Sequence, residues 1–370
     1  MHSHPEAADT LIIGAQLYDG TGAPPVERDV AIRDGRIVAI GNLSNWLAED
    51  VIEAEGRALA PGFIDVHTHD DTHVIRSPQM LPKITQGVTT VIVGNCGISA
   101  SPVALKGDPP DPMNLLGERD AFQYPTFADY VKAVNAARPS VNVGALIGHT
   151  ALRNNHMDRL DRANRSSSTL DLKQVTGDVD ITVTWSEPHP EMAGKLVKDI
   201  AAEWGVTQQE AAQRLQPAGA VYHNMSEDDV RRILSHPATM VGSDGLPNDP
   251  LPHPRLWGAF PRVLGHYARD AGLLPLEEAV RKMTSLSARR FGLAQRGEVH
   301  IGYHADLVLF DPAKVRDAAT FEKPQQAADG IDAVWVNGVL TYRNGEVTGE
   351  RAGHFVARGA ASKGDAAGAF

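Results

Sequence analysis

The chain has 370 residues, 42% hydrophobic and 22% charged, the balance of a globular protein able to bury a large core. Its formal net charge of −11 argues against non-specific nucleic-acid binding, which needs clustered Lys and Arg. A single cysteine, Cys96, excludes an intrachain disulfide and fits a reducing compartment.

The first residues, Met1-His2-Ser3-His4-Pro5, carry neither a basic nor an apolar region of a signal peptide. No apolar run approaches the ~20 residues that span a bilayer. A cytoplasmic protein without membrane partners is expected. Residues 10–60 read as β: a strand over 10–18, then a hairpin over 30–40 turning at Asp34-Gly35, a pair that accepts positive φ. The C-terminal part has the same character, with a strand over 305–311 and a hairpin over 333–342 turning at Asn337-Gly338. Short strands at both ends suggest one small β-sandwich-like domain built from 1–60 and 300–355.

The middle opens with Gly62-Phe63-Ile64-Asp65-Val66-His67-Thr68-His69. Side chains at i and i+2 of a strand share a face, so His67 and His69 point together with Asp65 behind them. Two convergent imidazoles suit a borderline cation such as Zn²⁺; the plainer alternative is a pair of histidines satisfied by local hydrogen bonds. A second strand, 87–95, ends at Cys96, and a helix over 127–137 places Phe127, Tyr130, Val131 and Val134 at helical spacing. A third strand, 141–148, ends at His149. Strands that end in polar residues and alternate with helices look like successive βα units of a barrel, whose functional residues sit at the C-terminal strand ends.

Residues 154–180 break this pattern with a polar run, including Arg162, Arg165 and Ser166-Ser167-Ser168-Thr169. Beyond the strand at 181–185, a long amphipathic helix is expected with Leu196, Ile200 and Trp204 on one face. Thr207 with Glu210 is a capping-box signature, and Ser226 with Asp229 opens a further helix carrying Val230, Ile233 and Leu234. A strand over 238–243 then delivers Asp244. Helices over 256–271 and 275–292 close the region, the second with Pro275 in its first turn.

Taken together, Ala60-Pro61-Gly62-Phe63-Ile64-Asp65-Val66-His67-Thr68-His69-Asp70-Asp71, the Gly87–Gly97 stretch GVTTVIVGNCG and Gly148-His149-Thr150-Ala151-Leu152-Arg153 resemble the N-acyl-D-amino-acid deacylases (D-aminoacylases) of the amidohydrolase superfamily. The likeness continues through Thr184-Trp185-Ser186-Glu187-Pro188-His189-Pro190-Glu191, Gly242-Ser243-Asp244-Gly245-Leu246-Pro247 and Pro252-His253-Pro254-Arg255 to the late Gly302–Asp311 stretch. N-acyl-D-glutamate deacylases look most similar. The resemblance implies zinc-dependent hydrolysis of the amide of an N-acyl-D-amino acid, releasing a carboxylic acid and a free D-amino acid. It implies that His67, His69 and Asp244 ligate one metal and that Cys96 ligates a neighbouring zinc site. Asp244 would also be the general base, and Arg255 would pair with the substrate α-carboxylate, a bidentate task suited to guanidinium. His149 is a further substrate-side candidate, with a neighbouring backbone carbonyl as the alternative partner. An acidic substrate would need a second cation, for which Lys173 is a candidate.

In the family, about four further βα units stand between the Gly-His-Thr strand and the Ser-Ser-Thr stretch. Two of them supply histidines that complete the Cys site. Here on the order of 100 residues are absent, half of an eight-stranded barrel. His156, His189, His223, His236, His253 and His266 do not match those ligand positions. The expected architecture is α/β: an incomplete metal-dependent-hydrolase (β/α) barrel over 61–299, with the gap near 154–170, plus the two-terminus β domain and a disordered tail over 356–370. Unpaired barrel edges would invite homo-oligomerisation. Two rival readings stand beside the deacylase: a non-catalytic remnant of the family, and another amidohydrolase such as a cyclic amidase. The expected partner is a small N-acyl amino acid.

Overall fold

The computed structural model describes residues 6–105, 107–156, 170 and 172–359. The N-terminal part contains β1 (Ala7–Leu17), β2 (Val26–Arg33), β3 (Arg36–Gly41), β4 (Leu47–Glu53) and β5 (Ala58–Pro61). The middle contains β6 (Phe63–Asp65), β7 (Val88–Val93), β8 (Asn142–Ala145), β9 (Ile181–Ser186) and β10 (Ala218–Tyr222). The C-terminal part adds β11 (Leu307–Phe310), β12 (Ile331–Val336), β13 (Val339–Arg343) and β14 (Glu346–Val347). The helices are α1 (His73–Arg76), α2 (Leu81–Ile84), α3 (Phe127–Ala137), α4 (His149–His156), α5 (Val197–Trp204), α6 (Gln208–Leu215), α7 (Glu227–Ser235), α8 (Arg255–Arg262), α9 (Leu276–Met283) and α10 (Ser285–Phe291).

Strands from both ends of the chain join in one sheet, ordered β14-β13-β12-β11-β5-β1-β2-β3 with β4 also on β1. The sequence pattern suggested a sandwich; the ladder is a single continuous sheet, because β5 pairs with β1 on one edge and with β11 on the other. Both hairpins turn where expected, with φ of 51° at Asp34 and 50° at Asn337. Ile12, Ile32, Ile37, Leu309 and Trp335 form the buried core of this part.

The chain passes from β5 into β6 through Gly62, whose N–H donates to the Asp306 carbonyl at 2.8 Å. Strands β6, β7 and β8 form a parallel sheet, with Asp65 opposite Val91 and Val91 opposite Val143. All six residues of β7 are buried, as expected for a parallel strand covered on both faces. Beside β6 runs the segment 239–245. The expected strand over 238–243 does not form: the segment 239–245 is tied to the chain after β6 by a bridge from Gly245 to Thr68 and by separate backbone bonds, Val66 N–H to the Val241 carbonyl (3.5 Å), Asp244 N–H to the His67 carbonyl (2.8 Å) and His69 N–H to the Gly245 carbonyl (3.2 Å). Its regular pairing fails because Ser243 N–H turns to the Asp65 carboxylate at 2.9 Å.

On the other edge of the sheet, β8 is covered by the chain's own C-terminal segment. Val143 N–H donates to the His354 carbonyl at 3.0 Å, and Val356 N–H donates back to the Val143 carbonyl at 2.8 Å. The tail expected from 356 is therefore placed as far as Gly359, whose N–H donates to Gly292 at 2.8 Å; residues 360–370 lie outside those described. So do 157–169, which hold the Arg162, Arg165 and Ser166–Thr169 features.

Residues assigned to the barrel by pattern form a separate unit. β9 and β10 pair antiparallel and pack with α5 and α6 around Leu170, Val183, Ile200 and Leu215. The expected long helix is the eight-residue α5, stopped by Gly205 at φ 61°. The Thr207–Glu210 capping box opens α6 as anticipated, and Ser226 accepts from Asp229 N–H to open α7. Of the apolar residues named on α7, Leu234 is buried and Ile233 is 56% exposed. The single helix expected over 275–292 is broken at Thr284 (φ −130°, ψ −92°), where Ser285 Oγ reaches the Gly20 carbonyl at 2.7 Å. No helix among the described residues is long and apolar enough to cross a membrane.

Candidate metal centre

Four side chains converge where the parallel strands end. His67 and His69 follow β6, Cys96 follows β7, and Asp244 follows the segment beside β6. One donor atom from each lies within 4.8 Å of all the others. Strand β6 stops at Asp65, so the two histidines stand on the loop beyond it, with ring centroids 5.6 Å apart. Two backbone bonds hold that loop against the Asp244 segment: Asp244 N–H to the His67 carbonyl (2.8 Å) and His69 N–H to the Gly245 carbonyl (3.2 Å).

Cys96 reaches the cluster because its backbone is left-handed, φ 54°, between Gly94 at 82° and Gly97 at 76°. A Cβ on Gly94 would stand 2.1 Å from the Leu146 carbonyl oxygen, and one on Gly97 would stand 2.5 Å from His149 Nδ1. These glycines let the loop bring the thiol of the exposed Cys96 beside His67. His67 Nε2 lies 3.1 Å from Cys96 Sγ and 3.4 Å from Asp244 Oδ1, while His69 Nε2 lies 3.2 Å from Asp244 Oδ1.

Charge follows from this packing. Hydrogen bonds from His67 and His69 pull the Cys96 thiol down to about 6. Burial pushes His69 down, but its bonds to Asp244 and Cys96 outweigh that and hold it at about 9. The bond to Cys96 likewise raises His67. Burial opposes ionisation of Asp244, yet the His69 bond and the Arg255 charge keep its carboxyl below the usual range. The packing thus favours the ionised forms of Cys96 and Asp244 and the protonated forms of the two histidines that face them.

Below it lies a buried charge cluster that sequence pattern missed. Lys83 Nζ, fully buried, is 2.8 Å from Asp65 Oδ2 and donates to Ser243 Oγ at 2.9 Å. Asp70 Oδ2 is 3.2 Å from the same ammonium without hydrogen-bond alignment. Asp71, also buried, has its carboxyl raised to about 6 by burial. The run Asp65-x-His67-x-His69-Asp70-Asp71 was the available signal, since acids are almost never buried unpaired. Nothing local marked Lys83 as their partner.

The remaining expected site residues separate. Arg255, first residue of α8, points its Nη2 at Asp244 Oδ2 (2.8 Å) and its Nε at the Asp244 carbonyl (2.9 Å). His149, at the start of α4, lies against Gly97 beside the Cys96 loop but outside the four-donor group. Lys173 sits on the turn Leu172–Gln174 next to the β9–β10 unit. None of the six unmatched histidines joins the cluster; His253 instead accepts the Arg255 N–H on Nδ1 at 3.0 Å.

A parallel β-sheet whose strand ends gather His, Cys and Asp donors is the frame of a metal-dependent hydrolase. The chain matches the amidohydrolase family over residues 50–175 and 195–342. It is 38% identical to the D-aminoacylase of Alcaligenes xylosoxydans xylosoxydans, over 95% of this chain and 98% of that one. It is 36% identical to the N-acyl-D-glutamate deacylase of the same organism, over 91% and 94%. The crystal structure of the N-acyl-D-glutamate deacylase from Bordetella bronchiseptica, complexed with zinc and a phosphonate inhibitor, superposes with a TM-score of 0.87 at 35% identity, over 96% and 100%. The chain therefore belongs to the amidohydrolase family, in the branch that holds the D-aminoacylases and N-acyl-D-amino-acid deacylases. The D-aminoacylase alignment runs over 476 positions, 106 more than the 370 residues here, so at least that many positions of the relative have no counterpart.

Proposed function

We propose that this chain is a zinc-dependent deacylase of N-acyl-D-amino acids, with residues 61–299 carrying the reaction and the two-terminus sheet supporting them. The convergence of His67, His69, Cys96 and Asp244 on one point at the strand ends carries this reading. Two imidazoles, a thiolate and a carboxylate fit a borderline cation such as Zn²⁺ better than a hard one. When bound, such a cation polarises the scissile carbonyl and acidifies a water.

The chain's own groups supply the rest. Asp244, its carboxyl held ionised by His69 and Arg255, accepts the proton of the attacking water and returns it to the leaving amine nitrogen. Water oxygen bonds to the acyl carbon as the C–N bond breaks, giving a carboxylate and a free D-amino acid. Arg255 presents a planar cation to the substrate α-carboxylate while its Nε holds the Asp244 backbone. His149, beside the Cys96 loop, is a further candidate for contact with the substrate. Relatives named for D-glutamate support an acidic side chain as the substrate class.

A second reading, a non-catalytic member with an incomplete barrel, is favoured by the 106 or more positions without counterpart. Zinc-loaded protein incubated with N-acetyl-D-glutamate, N-acetyl-D-aspartate and N-acetyl-D-methionine separates the two. Release of free D-amino acid, absent with the L-enantiomers, is expected. No release from a folded, zinc-loaded sample would leave the second reading standing.

A further inference from the structure

Away from the four donors, the C-terminal segment that covers β8 also shapes a pocket. It has a volume of about 470 Å³ and lies between the ends of β7 and β8, the start of α3, the end of α10 and residues 355–358. Small-molecule sites enclose roughly 300–1,000 Å³. Ile92, Phe127, Leu146, Phe291, Leu293 and Phe355 supply its apolar wall. At Gly144 a Cβ would stand 2.8 Å from Ile92 Cδ1, so the end of β8 brings backbone and no side chain to that wall. Among the described residues, Arg290 and Arg358 are the only charged ones that line the pocket, both exposed and neither with a hydrogen-bond or ion-pair partner. Both belong to one end of it. Arg290 stands two residues before Gly292, the cap of α10, and Arg358 Cγ lies 2.9 Å from where a Gly292 Cβ would be. In a chain of net charge −11, two unpaired cations at one end of an apolar hollow make a local attraction for anions.

We propose that this pocket binds the free anion of an aliphatic carboxylic acid, its chain against Ile92, Phe127 and Leu293 and its carboxylate between Arg290 and Arg358. Guanidinium forks match carboxylate geometry, and each methylene taken from water onto the apolar wall adds affinity. A second copy of this chain fits less well, because a two-fold contact through this face would set four arginines in one interface. None of the metal-centre donors lines the pocket, so the inference does not rest on the deacylase reading.

Titration calorimetry of the zinc-loaded full chain with hexanoate, octanoate and decanoate tests this. One decanoate per chain is expected to bind, with affinity rising about fourfold for each added methylene. The double variant Arg290→Gln, Arg358→Gln should weaken decanoate binding about tenfold, the modest loss proper to exposed charges, and leave octanol binding unchanged. Ala357→Trp fills the pocket from an exposed position and should abolish binding of both, with far-ultraviolet circular dichroism and metal content as in the wild type. Cys96→Ser should bind decanoate as the wild type does. No binding by the folded wild type, equal affinity for hexanoate and decanoate, or undiminished decanoate binding in the double arginine variant overturns the inference. Loss of binding in Cys96→Ser with retention in Ala357→Trp also overturns it, by moving the carboxylate to the metal centre. So does a wild-type dimer in light scattering that Ala357→Trp dissociates, since the pocket would then be an interface between copies of this chain.

Discussion

Arg255 grips Asp244 twice, its Nη2 2.8 Å from the carboxylate and its Nε donating to the carbonyl of the same residue at 2.9 Å. The guanidinium fork therefore sets both where the backbone of Asp244 lies and which carboxylate oxygen faces His67 and His69. A lysine offers a point charge and cannot do both. Arg255→Lys is expected to lower kcat/KM for an N-acyl-D-amino acid by about 10–100-fold, the cost of one charge-assisted hydrogen bond. Asp244→Asn should lower kcat by about 10²–10⁴-fold, as removal of a general base does, with the fold intact. Steady-state release of the free amino acid measures both.

Lys83 and Asp65 form an ion pair in which both side chains are fully buried. Removing one partner strands the other charge, so Lys83→Met should destabilise the chain by about 3–5 kcal/mol. Urea unfolding at neutral pH reads this directly. Because Asp65 also receives Ser243 N–H, the same variant should loosen the Asp244 segment and weaken metal binding.

The C-terminal segment protects an open sheet edge. Removing residues 351–370 takes away the His354 and Val356 bonds to Val143 and leaves β8 unpaired on that side. Exposed parallel edges template association, so the truncated chain is expected to form dimers or larger species at concentrations where the full chain does not. Light scattering after size-exclusion chromatography decides the matter.

His304 is kept neutral by burial and by the Arg296 charge beside it, its pKa pushed down to about 4. In the unfolded chain it titrates near 6.5. A depressed pKa contributes stability that is fully present above about 6.5 and is lost as pH falls toward 4. His253, held down to about 4 by burial and Arg255, acts in the same window. His304→Gln should therefore flatten the acid fall of thermal stability between pH 6.5 and 4, by on the order of 1 kcal/mol after solvent screening. Melting curves of metal-free wild type and variant across that range check it.

Local chemistry was readable along the chain. The turns at Asp34-Gly35 and Asn337-Gly338 need positive φ at consecutive residues, and those residue types accept it. Helix α3 came with its periodicity and α6 with its capping box, both complete within a dozen residues. His67 and His69 do converge, with rings 5.6 Å apart, but from the loop beyond β6 and not from the strand whose period suggested it. Where a distant partner intervened, pattern failed: Asp65 captured Ser243 N–H and spoiled the strand at 238–243, and Gly20 drew Ser285 and split the helix at Thr284.

By itself the sequence determined the hairpins, the capped helices, the family likeness and which side chains could ligate a metal, all set by residues near one another or by residue type. Tertiary structure alone decided that Cys96 and Asp244 meet both histidines at one point, that Lys83 lies beneath them, that 170–222 packs its own core and that the C-terminal segment closes β8. Those outcomes join residues up to 213 positions apart, as Val143 and Val356 are. Such pairings are selected by burial and hydrogen-bond satisfaction over the whole sheet, which no short window of sequence contains.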